Sequence, residues 1–255
     1  DHRDLHSFPT RRSSDLLPLM QAAIHLEGGR LTLLLDDTTP ESALWHGPSP
    51  SREQIAEQIG ADAAFPYSHL AKLAPDAATV LVQDAATAAE QLAILTLHPA
   101  RDHALAQAII ALRLTHDDAA LTSLRQAATV SVQAHKAGMA ATAVGKTEAA
   151  VRAAMEAVIM GENMTCAYNS IVTTHGEVLH NEHYGHRLQS GDLLLADVGA
   201  ESPLGWASDI TRTWQVTGES SATQRAVYDN VLAAHDAAIA AARPGVEYRE
   251  LPMLA

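Results

Sequence analysis

The chain has 255 residues, 47% of them apolar, enough to bury one large core or two of ordinary size. Its formal net charge of −13, with no run of five or more Lys or Arg, argues against a nucleic-acid-binding surface. No apolar run reaches the roughly 18 residues of a membrane-spanning helix, and the basic-then-apolar order of a secretory signal is missing at the N-terminus, so a cytoplasmic protein is the expectation.

The first sixteen residues, DHRDLHSFPTRRSSDL, are rich in Arg, Ser, Asp and His, whereas the chain after Leu16 is rich in Ala and Leu. HSFPTRRSSDL resembles the conceptual translation of a sequencing adapter, so residues 1–16 read as an artefact or a disordered leader, and the other end is open to the same suspicion of being cut. Residues 17–114 then form the first expected domain, a small α/β unit. RLTLLLDD (30–37) and ATVLVQD (78–84) read as short strands, and SREQIAEQIG (51–60) as a helix running from a Ser51 cap to Gly60. TPESALWHGPSPS (39–51) has the Pro and Gly density of a loop, with Trp45 packed beneath it. His25, His46, His69, His98 and His103 are scattered and are assigned no role.

Residues 115–255 form the second expected domain. THDDAALTSLRQAATVSVQAHKAGMAA (115–141) carries Leu121, Leu124, Ala128 and Val132 at helical spacing and is expected to stop near Gly138. TEAAVRAAMEAVIMGEN (147–163) reads as a second helix, with Thr147 as N-cap, Glu148 in the first turn, Gly161 at the end, and Met155, Ile159 and Met160 in the core. Three β-rich segments follow at 167–183, 191–201 and 207–218, and then a helix from the Ser221 cap to Arg243-Pro244-Gly245. Cys166 is the only cysteine, which excludes an internal disulfide, and it reads as a small buried hydrophobe. The whole order is α+β.

One pair of residues does not fit a purely structural reading. Leu193, Leu194, Leu195 and Ala196 form an apolar strand that ends at Asp197, and Asp209 opens the next β segment twelve residues on. A turn across VGAESPLGWAS could bring both carboxylates together. Two carboxylates in one dry site repel, so one must hold a proton or both must share a cation, and a pair of divalent metal ions satisfies the second condition. Spacing alone leaves ordinary arrangements open: Asp209 capping a turn, and Asp197 hydrogen-bonded by backbone amides. A histidine-only zinc centre from His180, His183 and His186 is awkward, because on a helix the outer two stand well apart and on a strand His183 faces away from His180.

LLLADVGAE, followed by GWASDITRTWQVTG and preceded by VLHNE, resembles the catalytic half of the pita-bread metallopeptidases, which include aminopeptidase P, prolidase, methionine aminopeptidase and the non-peptidase creatinase. The likeness extends to LRQAATVSVQAH, GKTE and ARPG, and LWHGPSP is similar to the N-terminal domain of the aminopeptidase P branch. It implies an N-terminal creatinase/aminopeptidase P-like α/β domain ahead of an incomplete pita-bread catalytic domain. It also implies hydrolysis of the bond between the first residue of a peptide and a proline in second place, with two divalent ions as cofactors, manganese first and cobalt or zinc as alternatives.

Residue by residue, Asp197 matches the first aspartate ligand and Asp209 the ligand that bridges both metals. His180, seventeen residues before Asp197, matches a histidine that is not a ligand but hydrogen-bonds substrate and steadies charge at the scissile carbonyl. The family completes its site with a further His and two Glu beyond the Arg-Pro-Gly stop, which are not found before Ala255, so this polypeptide alone is expected to be inactive. Two departures leave the substrate open: the Asp197 to Asp209 turn, with its Pro203, is one residue longer than usual, and THGE with Asn181 replaces the commoner text. A prolidase, a creatinase-like hydrolase and a metal-free binding protein on the same fold are the alternatives. The resemblance further implies homo-oligomers when full length, with no nucleic-acid or membrane partner.

Overall fold

The structure, a computed structural model, describes residues 22–82 and 84–254, so residues 1–16 lie outside it. The described chain falls into two units, one ending at His116 and the other starting at Asp117.

In the first unit, Gly28 and Gly29, at φ 57° and 79°, make the tight turn between β1 (Ala22–Glu27) and β2 (Arg30–Leu35), an antiparallel hairpin. Next come α1 (Pro40–His46) and α2 (Arg52–Ile59), the latter with the Ser51 capping box. β3 (Ala63–Phe65) pairs parallel with β2, and α3 (Leu70–Leu73), α4 (Ala85–Leu92) and α5 (Pro99–Arg113) complete the unit. Strand alternation sends Leu33 and Leu35 into a cluster with Ala56, and Leu34 into one with Tyr67, Leu70 and Ala74. A sheet covered on both faces is the α/β layout expected for this segment.

Two local expectations fail here. Residues 78–82 form no strand: the Thr79 N–H donates to Asp102 and the Val82 N–H to Gln91, so side chains take the place of a ladder, and Val80 is left 52% exposed. The segment 39–51 is not all loop, because the Thr39 side chain caps α1 and Pro40 sits at its start, where a missing N–H costs nothing. Trp45, on that helix, is 77% exposed rather than packed.

In the second unit, α6 (Asp118–Ala141) starts at an Asp117 cap and packs against α7 (Glu148–Gly161), which starts at Thr147. The strands are β4 (Thr165–Cys166), β5 (Ile171–Thr173), β6 (Leu193–Asp197), β7 (Ala200–Glu201) and β8 (Thr211–Gln215). β5, β6 and β8 form an antiparallel sheet with β6 in the centre, and β4 pairs with β7. α8 (Ala222–Ala241) has a Ser221 capping box and stops before Arg243. The core joins Val130 and Ala134 of α6, Val151, Met155 and Ile159 of α7, and Leu194 and Ala196 of β6. Cys166 is a free thiol packed at its edge.

The α6 stripe is displaced from the expected one. Ala127, Val130, Ser131, Ala134, His135 and Gly138 are buried, while Val132 faces outward. Two polar side chains take core positions, and hydrophobicity alone cannot find them. Gly138 does not stop the helix; a Cβ there would lie 2.7 Å from Cγ and Sδ of Met155, so it lets α6 and α7 approach. Met155 and Ile159 are fully buried as expected, but Met160 is 63% exposed.

Candidate metal centre

Asp197 ends β6 with its backbone opposite Thr211, two residues after Asp209. Beyond it the hairpin continues: Val198 N–H donates to the Ile210 carbonyl, Ser208 N–H to Ala200, and Ser202 N–H to Trp206, closing a tip at residues 202–206. Gly199 is required inside it, since a Cβ there would stand 1.9 Å from the Ser208 carbonyl oxygen and 2.9 Å from the Tyr168 ring. The expected turn therefore does bring the two aspartates together.

They meet at a residue the sequence did not single out. The Tyr168 hydroxyl lies 2.5 Å from Asp197 Oδ1 and 3.0 Å from Asp209 Oδ1. Tyr168 is placed by the β4–β7 pairing and by the Ala167 N–H, which donates to the Gly199 carbonyl. A phenol has one proton to donate, so it satisfies one carboxylate and leaves the other facing oxygen. Burial, then the Asp197 hydrogen bond and both negative charges, hold the Tyr168 phenol far above its ordinary range, so it stays protonated. Burial raises Asp197 as well; the Tyr168 hydroxyl works against this and the Asp209 charge adds to it. No cationic side chain is among the main influences on Asp197, a condition a divalent cation would meet, and two carboxylates are hard oxygen donors suited to Mn2+ or Mg2+ more than to soft metals. Asp197 is half-buried and Asp209 exposed, so the pair is open to solvent.

α6 braces the hairpin from below. Ser131 Oγ accepts from the Ala200 N–H at 2.8 Å and pairs with Ser208 Oγ at 2.6 Å. One turn on, His135 Nε2 lies 3.3 Å from the Val198 carbonyl, which assigns the proton to that nitrogen. His135 Nδ1 has no hydrogen-bond partner among the described residues. Burial pushes this imidazole below the ordinary histidine range, outweighing the Val198 carbonyl, which favours the protonated form.

His180, the third expected residue, is exposed on the irregular loop between β5 and β6. The remaining histidines of that loop form a cluster: the His186 ring centroid is 4.5 Å from that of His175 and 5.2 Å from that of His183. His186 is not a free loop histidine, because its Nδ1 lies 2.9 Å from the buried Glu148 carboxylate. No group of three His, Cys, Asp or Glu suited to a metal ion occurs among the described residues.

Residues 122–255 match the model of metallopeptidase family M24. The chain belongs to this family. Its residues 15–85 match the aminopeptidase P N-terminal domain. Among M24 relatives, a probable Xaa-Pro aminopeptidase of Pyrenophora tritici-repentis is 27% identical over 233 residues, covering 89% of this chain and 50% of that protein. Xaa-Pro aminopeptidase 2 of Streptomyces coelicolor is 32% identical over 166 residues, covering 62% of this chain and 34% of that one. The structure of Pseudomonas aeruginosa aminopeptidase PepP superposes with a TM-score of 0.77 at 27% identity, covering 91% of this chain and 58% of that one. The chain thus covers between 34% and 58% of the length of these relatives, and its α+β fold of two parts is that of aminopeptidase P.

Proposed function

We propose that the protein is a metal-dependent aminopeptidase that hydrolyses the bond between the first residue of a peptide and a proline in second place. The observation that carries this reading is the convergence of two carboxylates, Asp197 and Asp209, on one hydroxyl in an M24 chain. Relatives named Xaa-Pro aminopeptidase support the choice of substrate. Asp197 and Asp209 act as ligands to two divalent ions, Mn2+ first. When bound, such a pair supplies Lewis acidity and lowers the pKa of water.

The chain's own residues do the rest. Tyr168 keeps its proton and fixes the Asp197 carboxylate, and His180 donates a hydrogen bond to the peptide carbonyl oxygen, where negative charge develops during attack. With no third donor grouped beside the aspartates among the described residues, the 255-residue chain binds metal loosely and turns over at background rate. The same proposal includes the division into domains 17–114 and 115–255, a cytoplasmic location and self-association. None of the described helices is long and apolar enough to cross a membrane.

The test offers two tripeptides, one with proline and one with alanine in second place, with Mn2+, to this chain and to the same chain extended to the length of its relatives. Release of the first residue is followed by mass spectrometry. The expected result is cleavage of the proline peptide alone, by the extended chain alone, abolished by a chelator. Equal cleavage of the alanine peptide, or cleavage that survives chelation, would overturn the assignment, and a chain that cleaves only dipeptides ending in proline would be a prolidase.

A further inference from the structure

From Thr174 to Arg187 the chain that carries His180 forms turns and a single isolated bridge, Arg187 to Thr147, and its far end is tied to the start of α7 by the Glu148 and Ala149 N–H groups, which donate to the His186 and Tyr184 carbonyls. Both of its ends reach the same carboxylate. Thr174 donates to Glu148 Oε1 from its N–H at 2.7 Å and its hydroxyl at 3.1 Å. At the far end, His186 meets Glu148 Oε2 through Nδ1 at 2.9 Å and through its N–H at 3.3 Å. Thr173 Oγ1 adds a contact to Oε1 at 3.3 Å.

Glu148 is 0% exposed. Burying a carboxylate costs several kcal/mol unless its lone pairs are met, and here five donors meet them. Burial alone would push its pKa up; the Thr174 amide, the His186 imidazole and the Thr174 hydroxyl pull it below the ordinary glutamate range. A first-turn glutamate that only complements the helix dipole gains its benefit at the surface. Nothing in that role calls for full burial, or for donors drawn from a segment 25 to 38 residues away in sequence.

The network also reaches the middle of the loop. Thr173 Oγ1, while donating to Glu148, accepts from the His175 N–H and from Asn181 Nδ2, both at 2.9 Å. Asn181 Oδ1 in turn accepts from the His183 N–H at 2.9 Å. Asn181 is buried and directly follows His180. The path from Glu148 through Thr173 ends one residue from the proposed oxyanion donor.

We infer that Glu148 is the positioning residue for His180, anchoring both ends of its loop and, through Thr173 and Asn181, the backbone beside it. This rests on the reading of His180 given above. Glu148→Gln keeps the side-chain volume but turns an amide N–H2 toward His186, so it loosens the far end of the loop, which the backbone bonds to the His186 and Tyr184 carbonyls still tether. His186→Gln removes the ring contact to Oε2 while leaving the carboxylate and the backbone bonds of that end in place, and serves as a second variant should Glu148→Gln fail to fold.

Two measurements test the inference. In the 255-residue chain labelled with 13C-histidine, the ring signals of His180 and His183 should shift or broaden in both variants, while that of His135, which packs under the aspartate hairpin, stays in place. In the extended, Mn2+-loaded chain, kcat on the proline peptide should fall by on the order of 100-fold with KM and bound Mn2+ unchanged, as misplacement of a catalytic group by about 1 Å predicts. An unmoved His180 signal overturns the role of Glu148 and leaves that of His180 standing. A moved signal with unchanged kcat also overturns it, and a His180→Ala variant with unchanged kcat shows that the reading of His180 is what failed.

Discussion

Asp197 and Asp209 hang from a ladder, whereas much of the support for the loop of His180 meets in one carboxylate. The hairpin from β6 to β8 is held by repeated backbone hydrogen bonds and by Ser131 and His135 pressing up from α6, so many contacts share the task. The loop of His180 has fewer such bonds, among them those from the Glu148 and Ala149 N–H groups to the His186 and Tyr184 carbonyls, and the Glu148 carboxylate receives donors from both its ends. Distributed support makes the distance between the two aspartates insensitive to losing any one side chain. Support that converges on one carboxylate from both ends makes the histidine more sensitive to that side chain. Under the proposed function, a site that holds two like charges together and also admits a peptide gains from stiffness in the first part and some give in the second.

The largest expected effect breaks the ladder at its tightest point. Gly199→Ala drives a Cβ into the Ser208 carbonyl, where only backbone could move away. It should cost about 3 kcal/mol or more and lower the melting temperature by on the order of 10 °C. The near-UV signal of Tyr168 should be lost with it. By contrast, Glu148→Gln should leave that signal in place while loosening the loop, so the pair of variants separates the two kinds of support.

A smaller effect concerns the brace. Because burial lowers the pKa of His135 in the folded chain, the unfolded chain takes up the proton first as pH falls. The stability contribution is therefore complete above the ordinary histidine value of ~6.5 and is lost as pH drops below it, with a slope of at most about 1.4 kcal/mol per pH unit. Denaturant unfolding between pH 7.5 and 5 measures this slope, which His135→Gln should flatten without moving the His180 ring signal.

How much of this was legible beforehand differs between the same two parts. The apolar run into Asp197, the turn residues and Asp209 fall in one short stretch, so local pattern sufficed to predict the hairpin and the meeting of the carboxylates. Tyr168 carries no periodic signal; its place depends on the β4–β7 pairing, a non-local contact. Ser131 and His135 were hidden because the helix pattern was phased on Leu121, Leu124 and Val132, and polar residues one turn apart on the other side looked solvated. Glu148 was recognised only as a favourable first-turn residue, since burial of a glutamate becomes plausible only once Thr174 and His186 are known to surround it. In the first unit, the strand expected at 78–84 and the loop at 39–51 failed for a common reason: side chains, from Asp102, Gln91 and Thr39, captured backbone amides that the pattern had assigned elsewhere.

The central claim is that the two aspartates form one cation-seeking pair. Isothermal titration of the 255-residue chain with Mn2+ tests it without any need for turnover. The account predicts saturable binding that weakens by about tenfold or more, equivalent to ~1.4 kcal/mol, in either Asp197→Asn or Asp209→Asn. Binding indifferent to both substitutions, or no binding by the unaltered chain, would contradict it.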